Sequence, residues 1–362
     1  KITPQELIAE LPKGLVKWYP FKADQCALYI TGNTELDRAV EEALRESGMT
    51  VDCADVTGLR ESPKGKRYDY IVITMALEQT GDMEEAAGIL KAARQLLQAD
   101  GRLLLGLNNR LGIRYFCGDK DPYTGRNFDG IEDYVRTDVS VFDRRNGRCY
   151  AKAQIIQMLH EAGFVHHRFY SVFPALERPQ ILFAEDFTPG EQLDIRIFPQ
   201  YFCADTVFLE EEMLYDTLLR NGMFHPMANA FFIECPLDGE ASGRKQITIS
   251  MDRGRTNAML TILRGDGLVE KRPVYAEGKW KLRARMENTA DLERHGVSML
   301  PLELKKDACI MPYVEKQSAL AYLRELALRD QERFLQELDR FWEIILHSSE
   351  HVPYEEIDWE NY

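Results

Sequence analysis

Short apolar runs alternate with amphipathic helical segments over about the first hundred residues, and this alternation limits the possible folds more than any other feature. A strand predicted over Ala27–Ile30 leads through a turn into a helix over Glu35–Ser47, and another strand is predicted over Met49–Ala54. The strand predicted over Tyr68–Met75 is apolar enough to be buried on both faces, as in a parallel sheet, and Arg102–Leu107 is predicted as the next buried strand. The pattern predicts parallel βαβ units, which bind ligands beyond the carboxyl ends of their strands.

Turn residues near Thr188-Pro189-Gly190 indicate a domain boundary. Beyond it, short alternating strands separated by glycine-containing turns favour hairpins over βαβ units. A long helix is predicted over Ser318–His347. We therefore expect a Rossmann-like α/β domain with a mostly parallel sheet over residues 1–189, and a smaller α+β domain with short antiparallel strands over residues 190–362.

Charge and cysteine usage narrow the class of protein. The chain has 45 basic and 59 acidic residues and a net charge of −14, which disfavours nucleic acid as a partner. The 7 cysteines are scattered singly, which fits a reducing cytoplasm. No apolar segment approaches the roughly 20 residues of a membrane-spanning helix. The expectation is a cytoplasmic protein without a membrane span.

Two groups of side chains contain residue types that bind metal ions. One is Asp119, Asp121 and Asp129, and the other is His160, His166 and His167. Pro122 and Tyr123 stand where an EF-hand loop needs ligands, so a solvated loop is the better interpretation of the aspartates. The histidines straddle a helix end and a strand, without the spacing of a helical zinc pair. No metal site is predicted.

The stretch Asn108–Arg148 is polar and aromatic, and it is too long for a simple connection. We interpret it as a lid or insertion. Its aromatic residues could line a cleft for a sugar or lipid-linked substrate, or could pack the insertion onto its own domain. These residues are Tyr115, Phe116, Tyr123, Phe128 and Tyr134.

Six strings between Gly14 and Pro189 carry a family resemblance. They are Trp18–Phe21, Asp69–Ile71 with Leu77-Glu78, Asp100–Leu104, Asn108–Gly118, Phe128–Ile131 and Phe169-Tyr170. Together they resemble a bacterial family of class I S-adenosylmethionine-dependent methyltransferases that is often associated with cell-surface glycan or lipopolysaccharide biosynthesis. The string Asn109–Gly112 is the most specific part.

The resemblance implies S-adenosylmethionine as cofactor, held by the turn after the first strand and by residues after the second and third strands. The implied cofactor-binding residues are Thr31, Gly32, Asn33, Asp52, Asp55, Met75, Ala76 and Leu77. Of the glycine-rich turn of the family, only Gly32 is present in this sequence. Asp52 or Asp55 occupies the position of the acid that accepts hydrogen bonds from the ribose hydroxyls. The stretch from Asp55 to Tyr68 is short for the helix and strand expected there.

For the substrate side, the resemblance implies a small-molecule or glycan-precursor acceptor. The implied contacts are Asn108, Asn109, Arg110, Tyr115 and Phe116. Alternatively, Asn109 caps a turn and Arg110 pairs with a nearby acid. No catalytic residue is identified, because methyl transfer needs little beyond alignment of the methyl group with its acceptor. A catalytically inactive pseudo-methyltransferase, used as a binding or assembly module, is the main alternative.

The second half resembles, more weakly, the amino-terminal lobe of a kinase-like phosphotransferase. The resemblance makes Lys271 the lysine that meets nucleotide phosphates, Glu287 or Glu293 its helix partner, and Met311–Val314 the hinge. The motifs that orient the acceptor and hold magnesium do not follow before Tyr362, so phosphoryl transfer by this chain alone is not expected.

An apolar stripe runs along the last predicted helix, at Phe334, Leu338, Phe341, Trp342 and Ile345. Packing within the fold is the simplest interpretation. An unpaired face would instead mark a partner interface or the docking place of a further lobe.

Overall fold

The computed structural model describes residues 4–32, 35–60, 65–138 and 145–348. The strands in chain order are β1 (Cys26–Ile30), β2 (Thr50–Ala54), β3 (Tyr68–Thr74), β4 (Leu97–Asn108), β5 (Arg168–Phe173), β6 (Ile181–Ala184), β7 (Ala230–Pro236), β8 (Arg244–Ser250), β9 (Met259–Arg264), β10 (Leu268–Pro273), β11 (Glu303–Lys305) and β12 (Ala308–Pro312). The helices are α1 (Pro4–Glu10), α2 (Gly14–Lys17), α3 (Glu35–Arg45), α4 (Val56–Arg60), α5 (Met83–Leu96), α6 (Ile113–Phe116), α7 (Val135–Asp138), α8 (Lys152–Glu161), α9 (Tyr215–Arg220), α10 (Trp280–Arg294), α11 (Ala319–Arg329) and α12 (Gln331–His347).

The strands form a single twelve-stranded sheet in the order β2-β1-β3-β4-β7-β5-β6-β8-β9-β10-β12-β11. The neighbours β2-β1, β1-β3 and β3-β4 are parallel, and the other neighbours are antiparallel. The expectation of a mostly parallel sheet is therefore wrong. Helical crossovers, which parallel neighbours require, join only the first strands, whereas hairpins and loops join most of the later ones.

Strand β7 connects the two halves of the chain, although sequence analysis did not identify it. It lies between β4 and β5, where Ile233 is opposite both Leu105 and Phe169. Every residue of Ala230–Pro236 is buried. Because β7 follows the predicted boundary at residue 189, and β6 also pairs with β8, that boundary does not separate two sheets.

Helix α3 begins and ends close to the predicted range Glu35–Ser47. Leu36, Val40, Ala43 and Leu44 form its buried face. Helix α5 begins after Asp82, whose carboxylate accepts the backbone N–H of Glu85 at 2.9 Å and caps the helix.

The long helix predicted over Ser318–His347 is instead two helices. Asp330 lies between α11 and α12 with a non-helical backbone, and its carboxylate accepts the backbone N–H of Arg333 at 3.1 Å. The cap at Asp330 satisfies a backbone donor at the start of α12, and the chain turns there.

Two clusters of buried apolar side chains pack against the sheet, one on each face. One cluster contains Ile89 of α5 and Leu159 of α8, and the other contains Trp18 beside Val40 of α3. The amino-terminal helices lie close to β8, because a Cβ on Gly14 would come within 2.7 Å of Ile249 Cγ2. Among the described residues, no helix combines the length and the apolar character needed to cross a membrane.

Candidate functional site

The parallel strands place a ligand-binding position between β1 and β3. The chain leaves β1 toward β2 on one side, while β3 lies on the other side. Loops that leave neighbouring parallel strands in opposite directions form a crevice at the carboxyl edge, where α/β sheets bind ligands. The crevice is bounded by Thr31-Gly32 after β1 and by Met75–Gln79 after β3.

A contact between the two loops spans this crevice. The side-chain amide of Gln79 donates a hydrogen bond to the carbonyl oxygen of Gly32. A Cβ on Gly32 would lie only 3.2 Å from the backbone nitrogen and Cα of Ala76. Contact between the two loops therefore accounts for the glycine. Ala76 and Leu77 are fully buried, and Asn33 lies outside the described residues.

Met75 fixes the path of the loop after β3. Its φ of 57° lies in the left-handed region, which is unfavourable for a residue with a side chain. Its backbone N–H donates to the carbonyl of Gly106 at 2.9 Å. The short 3-10 turn that follows, Ala76–Gln79, carries Glu78 inward and Gln79 toward Gly32.

The two acids expected near a ribose are held by other groups. Asp52 accepts hydrogen bonds from the ammonium of Lys66 and, at 2.7 Å, from the hydroxyl of Tyr68, and these bonds lower the pKa of Asp52. Asp55 accepts the backbone N–H of Gly58 at 2.6 Å, in the first turn of α4. A contact of either acid with a ribose stays a prediction.

A buried acid that sequence analysis did not single out as a site lies behind the crevice. Glu78 Oε1 accepts the backbone N–H of Asn108 at 2.6 Å, and Oε2 accepts the hydroxyl of Tyr123 at 2.7 Å. Its side chain is fully buried, and burial raises the pKa of Glu78 to about 8, although these hydrogen bonds favour the ionised form. Glu78 is therefore mostly protonated at neutral pH, and Tyr123 of the insertion closes over it.

The side chains of Asn108, Asn109 and Arg110, at and after the end of β4, form hydrogen bonds within the protein. Asn108 also donates its side-chain amide to Glu78 Oε2 at 3.2 Å. Asn109 accepts the backbone N–H of Leu111 at 3.1 Å, so the interpretation of Asn109 as a turn cap is confirmed. Arg110 donates to the carbonyls of Gly130 and Ile131, both at 3.0 Å.

The insertion packs onto its own domain. Tyr115 is buried, whereas Phe116 is 38% exposed. The hydroxyl of Tyr134 donates to Asp121 at 2.8 Å, and Asp119 binds Arg114 at 2.7 Å. Asp119, Asp121 and Asp129 are buried, so the interpretation of these aspartates as a solvated loop is wrong; Asp119 and Asp121 instead bind side chains of the insertion. Contacts of Tyr115 and Phe116 with a substrate stay predictions.

An open cleft of about 1400 Å³ lies at the same edge of the sheet; we call it the edge cleft. Its wall combines α1, the first turn of α3, the loop after β5 and the loop after β8. Apolar side chains such as Ile8 and Leu36 lie beside charged groups such as Arg178 and Arg253. Glu177 also lines it, and its charge contributes to the raised pKa of Glu78. The edge cleft is not evident in the sequence, because four segments that are distant along the chain form it.

The lysine–glutamate pair expected in the second half is not formed among the described residues. Lys271 lies in β10, where burial and then the nearby guanidinium of Arg285 lower its pKa. Glu287 and Glu293 are exposed on α10, and neither pairs with Lys271 within the described part of the chain. Lys271 therefore does not form the ion pair with Glu287 or Glu293 that the resemblance implies.

No protein-family model matches the chain, and no curated protein matches it significantly. Solved structures similar to it include a SAM-dependent methyltransferase from Thermotoga maritima, described as a possible histamine N-methyltransferase. The two sequences are 15% identical, and the superposition has a TM-score of 0.32. It covers 64% of this chain and 92% of the Thermotoga maritima chain. The plantazolicin methyltransferase BpumL, solved with SAH, has 11% identity, 64% and 82% coverage and a TM-score of 0.30. The mitomycin 7-O-methyltransferase MmcR has 18% identity, 46% and 50% coverage and a TM-score of 0.30. Likenesses this weak decide nothing about the reaction or ligand of this chain.

Proposed function

We propose that this chain is a methyltransferase-like protein that serves as a binding or assembly module, with the position of its cofactor closed. The observation that carries the proposal is the contact between Gln79 and Gly32 across the crevice between β1 and β3. Binding of a nucleoside there requires backbone open to the ligand. Here that backbone is covered by the protein itself.

The residues present do not fit S-adenosylmethionine as they are arranged. The ribose would need a free carboxylate after β2, but Asp52 is bound by Lys66 and Tyr68, and Asp55 caps α4. The Gly32 carbonyl is also already hydrogen bonded. Each of these groups would have to exchange its present partner for the ligand.

The second candidate is S-adenosylmethionine-dependent methylation of a small acceptor or glycan precursor, in the cytoplasm. The edge cleft favours it, because a cleft of about 1400 Å³ with apolar and charged walls could accept a nucleoside or a sugar. Its position beside the first turn of α3 is where βαβ sheets bind ligands.

Calorimetric titration of the full chain with S-adenosylmethionine and with S-adenosylhomocysteine separates the two candidates. A module with a closed crevice gives no heat of binding at millimolar ligand. Binding in the micromolar range would favour the methyltransferase, and Gly32→Val would then identify the site, because a side chain at that position meets Ala76 and should abolish binding.

A further inference from the structure

One side of α12 exposes large apolar side chains, and we call it the α12 face. Its residues are Leu335, Leu338, Trp342 and Leu346, which are 60%, 38%, 59% and 56% exposed. Their spacing places them along one side of the helix. Helix α12 packs against α11, where the hydroxyl of Tyr322 donates to Glu337 at 3.4 Å. Glu337 lies on another side of α12, so this contact leaves the α12 face uncovered.

A row of carboxylates borders the α12 face. Glu332, Asp339 and Glu343 follow one another at positions i, i+7 and i+11, so they lie along one flank of the apolar stripe. All three are exposed, and no ion pair to them occurs within residues 4–32, 35–60, 65–138 and 145–348. Arg340 projects from the other side of the helix and binds Glu337.

We propose that the α12 face binds a basic amphipathic helix of a partner protein. Apolar residues at i, i+3, i+4 and i+7 of such a helix would cover the stripe, and its Lys or Arg residues would meet the three carboxylates. This inference rests on the assembly-module proposal and gives that module a partner of stated chemistry.

Charge distinguishes this occupant from the others. Antiparallel pairing of two copies of α12 would set the carboxylate rows of the copies against each other, and an anionic lipid surface would be repelled by the same row. The residues after Ser348 supply no complementary charge either. Their sequence is rich in acids, at Glu350, Glu355, Glu356, Asp358 and Glu360.

The test is fluorescence anisotropy with labelled synthetic peptides and the full chain. One peptide forms a helix with a leucine stripe and lysines, a second has glutamates in place of the lysines, and a third has lysines but serines in place of the leucines. We expect the leucine-lysine peptide to bind and the other two to bind at least about tenfold more weakly, because neither offers both an apolar stripe and positive charge.

Charge reversal on the α12 face should reverse this preference. The triple variant Glu332→Lys, Asp339→Lys and Glu343→Lys should lose the leucine-lysine peptide and gain the leucine-glutamate peptide. Misfolding that only weakens binding would not exchange one peptide preference for the opposite one. The matched control is Glu240→Lys, Glu287→Lys and Glu293→Lys, which changes the net charge equally on exposed acids elsewhere and should leave the preference unchanged.

Three outcomes would overturn the inference. They are equal binding of the lysine and glutamate peptides by the wild-type protein, an equal effect of the control triple variant, and a dimer in sedimentation velocity that Trp342→Ser dissociates. The titration with S-adenosylmethionine tests the closed crevice and the peptide assay tests the α12 face, so a failure of one proposal is distinguished from a failure of the other.

Discussion

At the scale of single residues, the site is shaped by side chains that the protein itself has satisfied. Gln79 binds the backbone that a cofactor would need, and Glu78 is buried among Asn108, Tyr123 and Cys149. A fully buried carboxyl costs free energy when it ionises. Burial therefore favours the protonated form of Glu78 at this edge of the sheet.

The raised pKa of Glu78 predicts how stability changes with pH. Its pKa is about 8 in the folded chain against 4.5 when unperturbed, so the unfolded chain loses its proton first as pH rises. The free energy of unfolding should fall between about pH 4.5 and pH 8, by up to a few kcal/mol from this group. Glu78→Gln removes that loss, and thermal unfolding from pH 5 to pH 9 should show a flatter profile.

Glu84→Gln is the matched control for Glu78→Gln, since Glu84 is exposed in the first turn of α5. Its profile should follow that of the wild type. Parallel pH profiles for the wild type and Glu78→Gln would mean that Glu78 is ionised in the folded chain, contrary to this account.

At the scale of secondary-structure elements, β7 decides the architecture. It supplies the hydrogen-bonding partner of both β4 and β5 from about sixty residues beyond the start of β5. An antiparallel strand in this position ends the parallel part of the sheet. It also makes residues 1–189 dependent on the rest of the chain.

A fragment of residues 1–189 should therefore not fold by itself. Without β7, the inner edges of β4 and β5 lose their partners, and buried side chains such as Leu105 and Phe169 are exposed. We expect no cooperative thermal transition by circular dichroism, whereas the full chain shows one. A soluble fragment that melts cooperatively would instead support the boundary near residue 189.

The same elements show what sequence could predict. Strands β1 and β3 and helix α3 follow from local hydrophobic periodicity, because their burial pattern repeats within each segment. The insertion of β7, the closure of Gly32 by Gln79 and the burial of Glu78 depend on segments that meet only in the folded chain. The edge cleft has the same origin, so local patterns could not reveal it.

At the scale of the whole molecule, a charged cluster joins the amino-terminal segment to α3 and to the loop after β8. Lys13 is almost completely buried and lies 2.9 Å from Glu10, 3.1 Å from Glu42 and 3.1 Å from Glu46. Burial lowers the pKa of Lys13, but the hydrogen bonds to the three carboxylates more than offset this and raise it. Arg255, from the loop after β8, also binds Glu10 at 3.2 Å. The cluster therefore connects elements from both halves of the chain.

Replacing Lys13 by methionine should destabilise the molecule by about 1–3 kcal/mol at pH 7, because three carboxylates would face one another without a cation. Two of them are partly exposed, so solvent screening limits the loss. The loss should shrink at acid pH, because the hydrogen bonds from Lys13 help to lower the pKa of Glu42 and of Glu46, and the stability that this lowering contributes is lost as the pH falls. Denaturant unfolding at neutral and at acid pH measures it.

Arg38→Met is the control for Lys13→Met. Arg38 also pairs with Glu42, but its side chain is 89% exposed, so its loss should cost less than about 0.5 kcal/mol. An equal effect of the two substitutions would show that burial does not strengthen the Lys13 cluster.

We propose that Gln79, held against Gly32, keeps a nucleoside out of the crevice between β1 and β3. The dissociation constant of S-adenosylhomocysteine for the wild type and for Gln79→Ala, determined side by side by equilibrium dialysis, tests this closure. We expect no retention by the wild type at millimolar ligand and weak but measurable retention by Gln79→Ala, because the side chain that closes the crevice is gone. Micromolar binding by the wild type, or no gain of binding in Gln79→Ala, would contradict the closure.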